Sequence, residues 1–205
     1  GALATFCFLL SFYGLMTWLT KLMTQLDVPL SGAFQLTMLL NLGAVAGSVL
    51  TGLTAFRFGA LPVTVLSGLT GAVCLLLVPS QLVSGMSMIL VVVMLGMASP
   101  STQNLVNSLV AEATEDLWRA GLLGFTLGLG RLGAVAAPVI GSHLLMSTPP
   151  GEGLASPPGA VFIAFAVASI GGVVCALWLG HLVSRRRSEQ QRVSDSRRPE
   201  ETRGR

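Results

Sequence analysis

Six apolar runs, each about as long as a bilayer is thick, leave this chain little choice of fold. A hydrocarbon core about 30 Å thick takes roughly 20 apolar residues per helix. Within it every backbone N–H and C=O must be paired inside the segment, so runs of this length must be helical. They fall at 2–20, 34–56, 61–78, 85–110, 120–146 and 160–183. Lys21 ends the first, and the polar stretch around Asp27 and Pro29 separates it from the second. Arg57-Phe58-Gly59 makes a short break, and Pro79-Ser80-Gln81 is a turn signal. Glu112, Glu115, Asp116 and Arg119 form a charged break. Thr148 to Gly159, with four prolines and three glycines, is expected to be non-helical. The fold class is therefore all-α integral membrane, a six-helix bundle over 1–183.

Charge supports this and excludes other classes. Only 10% of the 205 residues are charged, against about 25% in a soluble domain. The last 22 residues hold eight Arg and four acidic groups, net +4, while residues 1–183 carry a net −1. A nucleic-acid-binding domain would need Lys and Arg spread over a folded face, so no nucleic-acid partner is expected, and an ordinary soluble enzyme is excluded. The segment 184–205 has no aromatic residue and little to bury, and is expected to be a disordered basic tail. Arg185, Arg186 and Arg187 serve as a topology signal or as contacts to anionic headgroups. Lys and Arg flanking the spans set orientation. Arg57, Arg119 and the tail fall on one side and only Lys21 on the other, so the C-terminus is expected in the cytoplasm, with the chain in a bacterial inner membrane. No secretory leader is recognisable in the first run, which is read as a retained helix. Cys7, Cys74 and Cys175 stand alone inside apolar runs and are expected to pack as small hydrophobes.

Small and polar residues inside the spans carry the remaining information. Gly43 and Gly47, then Gly121, Gly124, Gly128, Gly130 and Gly133, recur at helical spacing and predict close helix crossings. Arg131 lies twelve residues after Arg119, about 18 Å along a helix and near the bilayer centre. Its burial needs water, an acidic partner, helix carbonyls or an anionic ligand, and none of the six runs contains Asp or Glu. In the fourth run Ser101, Asn104, Asn107 and Ser108 form a polar stripe with Gln103 beside it. The stripe is either interhelical glue or a cavity lining. Asn41 is a third deep amide and reads as structural. Trp18 beside Lys21 reads as an interfacial belt, whereas Tyr13 is deep enough to face a ligand. His143 and His181 sit near span ends. The sequence shows no nucleophile–base pair, phosphate loop or metal cluster, so no enzyme activity and no cofactor are expected.

The stretch from Ala111-Glu112 through Arg119-Ala120-Gly121 to Gly128-Leu129-Gly130-Arg131-Leu132-Gly133 and Pro138 resembles helices ten and eleven of a major facilitator superfamily transporter. It is most similar to the aromatic acid/proton symporters. Thr17-Trp18-Leu19 and Asn41-Leu42-Gly43 with Gly47 fit the same pattern. Arg57-Phe58-Gly59 resembles a weak copy of the superfamily's Asp-Arg-x-Gly loop, with Phe56 in place of the Asp and Ala60-Leu61 in place of the basic pair. The resemblance implies one six-helix half of a twelve-helix transporter, built as a three-plus-three inverted repeat. It implies a small organic anion, such as an aromatic carboxylate, as substrate and a proton gradient as driving force. Arg131 would hold the carboxylate, Asn104 and Asn107 would orient it, and Tyr13 would pack on its ring. Arg119, Glu112 and Arg57 would belong to the gating loops, and the family's acidic motif would lie in a missing N-terminal half. A carrier for a sugar, drug or exported metabolite, and a half-transporter that serves only to pair with another half, are the alternatives.

Overall fold

In the computed structural model the described residues are 1–25, 29–80, 82–83, 85–112, 114, 116–151 and 153–203, with side chains described to Leu182, that of Asp116 excepted. Asp27, Gln81 and Glu115 of the expected breaks lie outside them. Six α-helices follow in order: α1 Ala2–Gln25, α2 Leu30–Phe58, α3 Ala60–Leu77, α4 Met86–Glu112, α5 Asp116–Ser147 and α6 Pro157–Arg203. Single 3₁₀ turns at Val78–Ser80 and Gly153–Ala155 precede α4 and α6. Each α-helix contains a stretch long and apolar enough to cross a membrane. The molecule is an integral, multi-pass, six-helix membrane domain.

Helix ends overshoot the apolar runs, because the backbone continues until something stops it. α2 runs to Phe58 and stops at Gly59, whose φ of 89° is accessible to glycine and strained for other residues. α6 begins at Pro157, earlier than the proline-rich composition suggests. Ser156 caps it, its Oγ accepting the Gly159 N–H at 3.1 Å. Pro157 and Pro158 then occupy first-turn positions whose missing N–H groups would have had no helical partner. The α6 backbone continues past its apolar span to Arg203. The side chains of this last segment lie outside the described residues.

Lipid supplies no hydrophobic force between helices, so association rests on close packing and interhelical hydrogen bonds. Glycines provide the approach. A β-carbon at Gly47 or Gly43 of α2 would strike the backbone of Met97 or Val93 on α4, and one at Gly96 of α4 would strike Leu40 of α2. Across the molecule, a β-carbon at Gly133 of α5 would strike the Phe6 backbone of α1. Two buried serines tie α6 down: Ser11 Oγ donates to the Phe165 carbonyl at 3.0 Å, and Ser169 Oγ donates to the Gly68 carbonyl at 3.1 Å. Phe162, Phe165, Leu15, Leu19 and Leu95 fill the core, and Cys74 packs there as a small hydrophobe.

The packing pattern repeats. α1 packs most extensively on α5 and then on α6; α4 packs most extensively on α2 and then on α3; α3 and α6 pack on each other. Exchanging α1 with α4, α2 with α5 and α3 with α6 leaves this scheme unchanged. Consecutive spans alternate in direction, so exchanged helices run oppositely and the relating axis lies in the membrane plane. The spans of α2 and α5 are the least covered, each 22% buried against 44–50% for the other four. Those two helices therefore present the open side of the bundle.

Candidate functional site

α4 carries the main polar surface. Asn104, Ser108 and Glu112 follow one another at four-residue steps, which places them on one helix face. All three are exposed. They line a cavity of about 550 Å³ whose opposite wall is the lower half of α2, with Ser48, Thr51, Gly52 and Ala55. The stripe expected on α4 is therefore split. Ser101 is covered and turned back on its own helix, its Oγ donating to the Met97 carbonyl at 2.6 Å. Asn107 is turned aside, its Oδ1 accepting from Gln103 Nε2 at 3.4 Å. Ser48 and Thr51 escaped the sequence reading because single hydroxyl residues in an apolar run usually bond their own helix. Both do so here, donating to Ala44 and Gly47 carbonyls. Their three-residue spacing on the α4-facing side was the available signal.

Depth follows from packing. A β-carbon at Gly1 would touch Val110 on α4 and lie 3.6 Å from Thr126 on α5, so these residues share a level. From there Asn104 stands six residues back along α4 and Arg131 five residues on along α5, both away from the α4–α5 turn. At 1.5 Å per residue that is about 9 Å and about 7.5 Å. Arg131 and Asn104 thus lie at one depth, and Arg131 falls mid-way along the α5 span Leu117–Ser147. Thr5 and Leu9 of α1 abut Gly130, which puts Tyr13 one to two turns further up. Thr20 and Thr37 hydroxyls, 3.0 Å apart, fix α1 against α2 and place Asn41 in the same upper tier as Tyr13. The structure sorts the candidates into a lower tier of Arg131 and Asn104 and an upper tier of Tyr13 and Asn41.

The two tiers differ in how free their groups are. Arg131 is exposed, and no described residue hydrogen-bonds or ion-pairs with it. It projects from α5 about a third of a turn away from the face formed by Thr126, Gly130, Gly133, Ala137 and Gly141, which is packed away. Gly121, Gly124 and Gly128 share the open side, and a β-carbon at any of them would meet nothing within 4 Å. The α5 glycines, expected to need close neighbours throughout, therefore divide: the upper ones form the α1 crossing and the lower ones leave bare backbone below Arg131. Tyr13 is 44% exposed, its ring edge-on to Phe12 at 5.4 Å. Asn41 is exposed and donates Nδ2 to the Thr37 carbonyl at 2.8 Å. Trp18 lies beneath Lys21, whose Nζ is 4.9 Å from the ring centroid. Thr5 Oγ1, beside Gly130, is buried with no hydrogen-bond partner among the described residues.

The gating candidates occupy the end nearest the α4–α5 turn. Arg119 Nε donates to the Ala111 carbonyl at 3.2 Å, satisfying one of the last carbonyls of α4. It fastens the α4–α5 turn rather than facing the deep residues. Glu112 closes the polar cavity at the same end. Arg57 is exposed in the last turn of α2.

No family model matches the chain. It is 41% identical over 145 residues to a gentisate transporter of Corynebacterium glutamicum, covering 70% of this chain and 32% of that protein. It is 32% identical over 140 residues to a benzoate transport protein of Acinetobacter baylyi, covering 68% of this chain and 30% of that one. The match thus spans about a third of the length of each curated relative. Both are named as transporters and not as enzymes. Gentisate and benzoate are both aromatic carboxylates, and the similarity supports kinship with an aromatic acid transporter family.

Proposed function

We propose that the chain is the C-terminal half of a major facilitator superfamily carrier that takes up small aromatic carboxylates with protons. The similarity to two named aromatic acid transporters carries the substrate class. The mid-span guanidinium, with no partner among the described residues, carries the binding mode. Arg131 supplies a planar, bidentate donor for a carboxylate, and Asn104, at the same depth, supplies an amide that orients it. Tyr13, one tier above, packs its exposed ring on the substrate's ring, and Asn107 steadies the polar face through Gln103. No Asp or Glu lies in the apolar runs 2–20, 34–56, 61–78, 85–110, 120–146 and 160–183. The proton-carrying carboxylate therefore belongs to the N-terminal half, which would cover the open sides of α2 and α5. Arg119 holds the α4–α5 turn as the halves rock, with Glu112 and Arg57 at the same end. The carrier resides in the bacterial inner membrane with its C-terminus in the cytoplasm.

The test is uptake of labelled benzoate and gentisate by cells expressing the two-half transporter, with and without a protonophore. Arg131→Gln removes a charge-assisted pair worth about 1.5–3 kcal/mol, so uptake at low substrate falls at least about tenfold while the membrane level is unchanged. Unaltered uptake in that variant defeats the assignment of Arg131, and uptake insensitive to the protonophore defeats proton coupling.

A further inference from the structure

A second cavity, of about 520 Å³, lies on the other flank of α2, between α2, α3 and α4. Leu50, Thr54 and Phe58 of α2, Leu66 and Thr70 of α3 and Met94 of α4 are among its walls. Three of its four hydroxyl residues bond their own helices: Thr51 Oγ1 donates to the Gly47 carbonyl at 2.7 Å, Thr54 Oγ1 to the Leu50 carbonyl at 2.9 Å and Thr70 Oγ1 to the Leu66 carbonyl at 2.8 Å, Ser67 being the fourth. The groove therefore offers methyl and alkyl surface. It exists because α2 packs tightly on α4 near Gly43 and Gly47 but meets α3 only sparsely. It runs from Gly47 down to Phe58, eleven residues or about 16 Å of helix. That length matches one leaflet, half of a hydrocarbon core about 30 Å thick.

Charge marks its mouth. Arg57 is exposed beside Phe58 and makes no hydrogen bond or ion pair with a described residue. A β-carbon at Gly180 of α6 would strike Leu61 of α3, so α6 passes the same end of α3. The Arg185-Arg186-Arg187 run of α6 begins five residues further along the chain. A largely alkyl-lined slot one leaflet long, with the Arg57 guanidinium at its end, has the chemistry of a phospholipid with an anionic headgroup.

We infer that an anionic phospholipid occupies this groove, one acyl chain between α2 and α3 and its phosphate on Arg57. The inference needs the chain to lie in a membrane and does not depend on which substrate it carries. Thr51 borders both this groove and the polar cavity, so the lipid braces the lower half of α2 against the polar side. The test reconstitutes the full chain with phosphatidylglycerol carrying a diazirine in its acyl chain, then with the phosphatidylcholine equivalent, and maps adducts by mass spectrometry after illumination. Adducts concentrate on peptides bearing Leu50–Phe58 and Leu66–Thr70. Phosphatidylglycerol labels about fivefold more than phosphatidylcholine, the gain from one arginine near an anionic headgroup, and Arg57→Gln removes the difference. Equal labelling of the unaltered chain by the two lipids overturns the headgroup assignment without requiring any variant to fold. Adducts spread evenly over α5 and α6 overturn the groove.

Discussion

Replacing Gly47 by Ala tests whether the α2–α4 crossing is held by backbone contact. The added β-carbon would lie 2.7 Å from the Met97 carbonyl carbon, where an ordinary contact is 3.4–4 Å. No rotamer relieves this, because the obstacle is backbone. The helices must part by up to about 1 Å, and a gap of 0.5–1 Å forfeits about a quarter to a half of each dispersion contact across the crossing. Overpacking of this kind costs about 1–3 kcal/mol. Alanine returns up to about 1 kcal/mol of helix propensity, which the design must remove. Gly52→Ala on the same helix gains the same propensity and meets nothing within 4 Å. The difference between the two variants therefore isolates the crossing, with Gly47→Ala about 1–3 kcal/mol the less stable. Reversible unfolding in mixed micelles measures both. Variants agreeing within about 0.5 kcal/mol, the scatter of neutral surface changes, would refute backbone contact as the basis of the crossing.

Gly133→Ala, the counterpart on α5, is expected to destabilise in the same assay, whereas Gly124→Ala, with open space around it, does not; equal effects would contradict the division of the α5 glycines. Arg119→Gln removes the donor to the Ala111 carbonyl, and a bond worth about 0.5–1.5 kcal/mol corresponds to roughly two- to twelvefold faster amide exchange in the α4–α5 turn. Unchanged exchange there would remove Arg119 from the fastening role. Ser169→Ala deletes the buried bond to the Gly68 carbonyl. The loss is expected near 0.6 kcal/mol and below about 1.7 kcal/mol, the range for interhelical bonds in membranes, and a larger one would point to a role beyond that bond.

The spans were legible because each needs only a long apolar run, and composition reports that directly. Helix ends were less so. α2 outlives its apolar stretch until Gly59, and α6 starts at a proline pair that Ser156 makes acceptable, so the ends depend on single stopping and capping residues. Glycine spacing could announce a crossing without saying which glycines serve it. Gly124 and Gly128 have the same spacing as Gly43 and Gly47, yet only the latter pair has a helix against it. Polar spacing had a similar limit. Asn104 and Asn107 look alike in sequence, but the orientation of α4 gives one to the cavity, and the neighbouring Gln103 takes up the other. The mid-span depth of Arg131 was countable from sequence, twelve residues beyond Arg119.

The energetics of Arg131 bear on what the open side of α5 faces in the proposed carrier. A guanidinium at mid-span costs about 2.5–3.5 kcal/mol on insertion scales, and more when it has no water or partner within reach. No described residue offsets that cost, and the three bare glycines below it offer no side chain to do so. Arg131 lies on the same side of α5 as Gly124 and Gly128, so turning the guanidinium to lipid would also turn the glycine backbone to lipid. Against the second wall that the proposed carrier supplies, the same arrangement would be favourable. Under the proposed function, water would fill the space beside Arg131, bare backbone would allow close approach, and an arriving carboxylate would replace that water. On that proposal, the surplus exposure of α2 and α5 and an arginine with no partner among the described residues would be one feature, a surface that encloses an anion against the other half.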